Sequence, residues 1–119
     1  MIYPKEFPKH ELACHCCGKC HMDRNFLNKL LFARKLAGIP FNINSGYRCP
    51  KHNEAVGSTS ENHTSGHAVD ISAVNSYQRM TIVVSLVKAG FRRIGVYKTF
   101  IHADDMNDTG KGPIAMWVG

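Results

Sequence analysis

The chain lacks a long apolar run, a repeat and a low-complexity tract, and it is poor in acidic residues. No hydrophobic stretch approaches the roughly 20 residues that span a bilayer, so neither a membrane anchor nor a membrane partner is expected. The opening MIYPKEFPKH has no apolar h-region of the kind a secretory signal carries. Synthesis in the cytoplasm is therefore expected, with any action outside depending on release by other means. Only 9 Asp and Glu stand against 15 Lys and Arg, a formal charge of +6. Such a balance favours anionic partners, but the basic residues are scattered and no arginine-rich arm is present. Nucleic acid is therefore not expected as a partner, and a solvated basic surface accounts for the charge. A length of 119 residues suits one domain, residues 1–119, with one core, expected as a monomer.

What the chain does have is periodicity. Asp23 reads as a helix N-cap; Phe26, Leu27, Leu30, Leu31 and Leu36 follow at helical spacing until Gly38 and Pro40 end the run. Residues 41–45 alternate apolar and polar as a half-buried strand does. Residues 46–66 read as a long loop with a short helical turn near residues 53–56, and long loops in small domains tend to be functional. Residues 67–72 read as a strand with Val69 and Ile71 on one face and Ala68, Asp70 and Ser72 on the other. A second helix is predicted over residues 76–89, with Met80, Val83, Val84 and Val87 as its apolar side and Gly90 as its stop. Strands are predicted at residues 93–96, 99–104 and 113–118, while residues 1–22 read as irregular. Helices and strands without regular βαβ alternation predict an α+β domain, a mainly antiparallel sheet with two packed helices.

Histidine is abundant, with 7 in the chain. Asp70 lies in a strand between apolar neighbours, where a carboxylate is costly unless paired or metal-bound. His63 stands before the same strand, behind a Gly66 turn able to bring it back beside Asp70. His102 is flanked by Phe100 and Ile101. Two imidazoles and a carboxylate suit a catalytic zinc, three protein ligands with a fourth position open. On the residues alone, satisfied core histidines explain the spacing as well.

Three ordered motifs carry more. Residues 45–53 read S-G-Y-R-x-P-x-H-N, residues 63–71 read H-x-x-G-x-A-x-D-I, and residues 97–104 read Y-x-x-F-x-H-x-D. Together they resemble the zinc D-Ala-D-Ala carboxypeptidase family, which includes phage murein endopeptidases and shares its fold with the zinc-containing hedgehog signalling domain. The resemblance covers most of the chain, including the first helix and a Trp near the C-terminus. It implies a hedgehog/DD-peptidase-like fold and a Zn2+ cofactor on His63, Asp70 and His102. Arg48 is then the group that stabilises an oxyanion or grips a peptide carboxylate, and His52 and Asn53 fix the loop. It implies hydrolysis of D-amino-acid-containing peptides of peptidoglycan, at a free C-terminus or internally, and a phage lysis enzyme as one setting. The alternative is a zinc-containing wall-binding module without catalysis.

The sequence departs from the family at two positions. Glu61 stands where many relatives carry Ser, and Thr99 where relatives often place a carboxylate base. Asp104, two residues beyond His102 and on its strand face, is the first candidate for that base; a second role for it is to orient a ligand imidazole. Glu61 is the other candidate, ahead of His67, which falls on the face away from Asp70. The segment Cys14-His15-Cys16-Cys17-Gly18-Lys19-Cys20 contains overlapping C-x-x-C steps with no second pair downstream. Cys14, Cys17 and Cys20, with Cys49 or a histidine, are candidates for a second metal, a disulfide involving Cys49, or free thiols. An odd count of 5 cysteines without a signal argues against a secreted disulfide scaffold.

Overall fold

Asp23 caps the first long helix as its side chain predicts, accepting the Phe26 N–H at 2.9 Å, and Gly38 closes the helix in the left-handed region. A computed structural model describes residues 2–119. In chain order the elements are α1 (Lys9–Leu12), α2 (Arg24–Ala37), β1 (Ile43–Ser45), α3 (Pro50–Ala55), β2 (Ala68–Ser72), α4 (Ser76–Ala89), β3 (Arg93–Val96), β4 (Phe100–Asp104), a 3-10 turn (Met106–Thr109) and β5 (Ala115–Val118). The fold is α+β. One five-stranded sheet runs β1-β2-β4-β3-β5, antiparallel at its first three pairings and parallel between β3 and β5. No described helix is long and apolar enough to cross a membrane.

Strand alternation divides the sheet chemically. Val69, Ile71, Ile94, Ile101 and Ala103 join Phe26, Leu27, Leu30, Ile82, Leu86 and Phe91 in one buried core, which puts α2 and α4 on that face. The other face carries Asp70, His102 and Asp104. Burial of this apolar set is the main stabilising term, roughly 1.5–3 kcal/mol for each large side chain fully removed from water.

Four expectations need correction. Residues 1–22 are not wholly irregular, because α1 forms there, and Phe7 and Leu12 are fully buried in the core. The helical turn of the long loop begins three residues earlier than expected, with Cys49 as N-cap and Pro50 in the first turn, where its missing N–H costs nothing. In α2, Leu36 is exposed and Ala33 is buried instead. In α4 the buried side is Ile82, Ser85 and Leu86, while Met80, Val84 and Val87 face solvent. Ser85 is tolerated inside because its hydroxyl donates to the Ile82 carbonyl at 2.8 Å.

Candidate metal centre and cleft

The site is built as a row across the sheet. Ser45 of β1 pairs with Asp70 of β2, Asp70 with His102 of β4, His102 with Gly95 of β3, and Gly95 with Trp117 of β5. Paired positions share a face, so the register alone sets the Asp70 carboxylate beside the His102 imidazole. Gly95 leaves room for the indole. A Cβ there would meet Trp117 Nε1 at 2.5 Å, and the vacated space lets the Trp117 ring lie 5.5 Å from the His102 ring.

His63 comes to this row from the loop before β2. Gly66 makes the return possible: its φ is +78°, and a Cβ there would collide with the His21 carbonyl. His63 is buried, and its Nδ1 lies 2.8 Å from the Gly46 carbonyl. A carbonyl only accepts, so Nδ1 donates to Gly46, and Nε2, 3.4 Å from Asp70 Oδ2, is the nitrogen turned toward Asp70 and the one free to hold a metal. His102 is held at both ends, with Nδ1 2.9 Å from Asp70 Oδ1 and Nε2 2.7 Å from Asp104 Oδ2. Without a metal, both nitrogens must donate, so the ring is an imidazolium. Burial opposes that charge, but the hydrogen bonds and charges of Asp104 and Asp70 outweigh it and push the group up to about 9. Burial likewise works to raise the Asp70 carboxyl, yet hydrogen bonds from His102 and His63 hold it well below the usual carboxylate range.

One ligand atom from each of His63, Asp70 and His102 lies within 4.8 Å of the others. The donor set, two imidazoles with their far nitrogens anchored and one carboxylate, fits a zinc ion with a coordination position left over. The three side chains line a cleft of about 320 Å3 together with Arg48, Ser58, Ser60, Asn62, Tyr97, Phe100 and Trp117. Arg48 is fixed at the mouth: Nη1 donates to Asn53 Oδ1 at 3.1 Å and Nη2 to Ser45 Oγ at 3.2 Å, and Nη2 stands 3.9 Å from Asp70 Oδ2. Asn53 in turn donates to the Ser60 carbonyl at 2.9 Å, tying α3 to the loop that carries His63.

Asp104 does share the face of His102, but it does not face the cleft. It is fully buried, with Oδ1 accepting from Arg93 Nε at 2.7 Å and the Met106 N–H at 3.1 Å, and Oδ2 from His102 and from Asn62 Nδ2 at 3.1 Å. No oxygen is left for a water, which argues against its expected role as base and for its role in orienting the imidazole. Burial raises its carboxyl, while His102, the Met106 N–H and Arg93 more than offset that and lower it. Glu61 is exposed and 3.5 Å from Lys111. His67 lies away from Asp70, its Nδ1 2.7 Å from Asp105 Oδ1 and its Nε2 4.0 Å from Asp23 Oδ1. The aromatic wall received no role in the sequence reading: Tyr97 stacks on Phe100 at 4.4 Å, and its hydroxyl accepts the Trp117 Nε1–H at 3.0 Å. Alternation along β3 and its register with β5 carry the signal for both.

The cysteines sort differently from the expectation. Cys14, Cys16, Cys17 and Cys49 cluster, whereas Cys20 lies apart beside Tyr3. All five cysteines are unbridged in the structure. Cys14 is buried, which works to raise its thiol, but N–H groups of Cys49 and Cys16 and the neighbouring thiols hold it down to about 6.

A search of curated proteins gives no significant match. Residues 5–104, spanning α1 through β4 and therefore all three candidate ligands, match the Peptidase M15 family, and the chain belongs to that family.

Proposed function

We propose that the chain is a zinc-dependent peptidase that hydrolyses D-amino-acid-containing peptide bonds of bacterial peptidoglycan. The observation that carries this reading is the convergence of His63, Asp70 and His102 beneath the fixed guanidinium of Arg48. When bound, zinc supplies Lewis acidity toward the scissile carbonyl and the attacking water. Arg48, already braced by Ser45 and Asn53, offers its remaining N–H groups to the developing oxyanion or to a peptide carboxylate. The Tyr97 oxygen accepts from Trp117, which leaves its own O–H proton to donate into the cleft. Tyr97, stacked on Phe100, and Trp117 form an aromatic side of the cleft against which a peptide can lie. Among the described residues Asp70 is the only carboxylate lining the cleft, and this reading commits it as a ligand, so the proton acceptor it assigns is Glu61, exposed on the loop between the lining residues Ser60 and Asn62. The +6 charge keeps residues 1–119, acting as one monomeric domain, close to an anionic wall; neither nucleic acid nor membrane is part of the reading.

The test is digestion of purified peptidoglycan by zinc-loaded protein, followed by mass spectrometry of the fragments. Loss of a terminal D-residue identifies a carboxypeptidase, and opened cross-links identify an endopeptidase. Arg48→Ala should keep its zinc and lose about a hundredfold or more in turnover, as for loss of one oxyanion donor. An intact wall after treatment with fully zinc-loaded protein would leave only the wall-binding alternative.

A further inference from the structure

A second cluster of metal-ligating side chains lies outside the cleft. Cys14, Cys16 and Cys17 come from one turn, closed by hydrogen bonds from the Gly18 N–H to the Cys14 carbonyl at 2.8 Å and from the Cys14 N–H to the Lys19 carbonyl at 2.7 Å. Cys49 comes from the N-cap of α3, thirty-five residues away from Cys14 in sequence. The four sulfurs lie within 4.8 Å of one another, with Cys14–Cys16 at 3.5 Å and Cys16–Cys49 at 3.3 Å. Four thiolates around zinc, with bonds of about 2.3 Å, form a tetrahedron with edges of roughly 3.8 Å; the two closest pairs lie a few tenths of an ångström inside that, and every pair lies within 4.8 Å. We propose that Cys14, Cys16, Cys17 and Cys49 form a structural zinc site that fastens the N-terminal segment to the Arg48 loop.

Three further observations support it. Backbone N–H groups already point at the sulfurs: that of Cys49 at Cys14 Sγ and that of His52 at Cys49 Sγ, both at 3.4 Å. Such contacts stabilise thiolates rather than thiols, since a thiolate is the better acceptor. Four thiolates on a divalent ion leave a net charge of −2, and Lys19 and Lys51 flank the cluster to offset it. A four-sulfur tetrahedral set is closed, with no position for substrate, which marks a structural rather than a catalytic site. A disulfide would use two of the four sulfurs and leave the convergence of the others without a purpose. The ion would act on the cleft through one peptide unit, because Cys49 follows Arg48 directly and caps the helix whose Asn53 braces the guanidinium.

The experiment is a zinc count on the full chain purified under reducing conditions, together with cobalt replacement. Two zinc ions per chain are expected for the wild type and one for Asp70→Ala. That variant, loaded with Co2+, should show intense thiolate-to-cobalt absorption in the near ultraviolet, with four of five thiols protected from an alkylating reagent until a chelator is added. Cys16→Ser combined with Cys17→Ser, both exposed positions, should lose this ion and keep the other. The proposal is overturned if Asp70→Ala binds no metal and all five thiols react freely in the folded protein. It is equally overturned if mass spectrometry finds a disulfide within the cluster, two hydrogens lighter. One ion in the wild type that survives Asp70→Ala would uphold this site and sink the triad instead.

Discussion

Asp104 shows how much a single carboxylate depends on which atoms its oxygens meet. Its oxygens accept from four donors, and one of these is the far nitrogen of a candidate ligand. Asp104→Asn would turn an NH2 toward Arg93 and the Met106 N–H, or toward His102 and Asn62; in either orientation a donor faces donors. The imidazole then loses the partner that fixes its tautomer. We expect zinc affinity at the triad to fall about 10–100-fold and turnover to return when zinc is supplied in excess. Equilibrium dialysis against zinc, paired with the wall assay, reads both effects. Activity that stays lost at saturating zinc would restore Asp104 as the base. Strand alternation places this residue on the right face, and that much is legible in the sequence. Which ring nitrogen it reaches is not, because that depends on Arg93 standing opposite it across the β3–β4 pairing.

Among the elements, the loop from α3 to β2 matters most for placing the ligands. It delivers His63, and it is docked at Gly66, whose carbonyl accepts the Asp23 N–H at 3.0 Å at the start of α2. A side chain at position 66 meets two penalties at once, the left-handed φ and the His21 carbonyl. Gly66→Ala should destabilise the protein by at least ~1–3 kcal/mol, read as a lower urea midpoint, and should weaken zinc binding because His63 moves with the turn. An unchanged midpoint would mean that the loop is not held by this contact. The Gly66 turn was readable from its spacing to His63 and Asp70. The buried face of α4 was not: Ile82, Val83, Val84, Leu86 and Val87 wrap most of the helix in apolar residues, so periodicity alone cannot pick the stripe that meets α2. Likewise, α1 is a four-residue turn without a side-chain cap, too short to leave a pattern.

At the scale of the whole molecule, two candidate metal-ligand clusters lie on either side of the Arg48 loop, and they pull the pH dependence of the metal-free chain in opposite directions. His102 has its group raised from an ordinary value near 6.5 to about 9. Its contribution to stability is therefore complete below about 6.5 and is lost as pH rises through about 9. Cys14 has its thiol lowered from about 9 to about 6, so its contribution is present above about 9 and is lost as pH falls through about 6. Between these limits the wild type, kept metal-free with a chelator and a reductant, should show a shallow dependence because the two contributions offset each other. Removing one should uncover the other. Cys14→Ser should lose stability steadily as pH rises from 6.5 to 9, and His102→Gln should gain it over the same window. Urea midpoints at half-unit steps of pH measure all three proteins. If the two variants slope the same way, at least one of the two titrations is misassigned. The His102 proton also occupies the lone pair that a metal needs, so zinc affinity at the triad should rise with pH up to about 9 and level off above it.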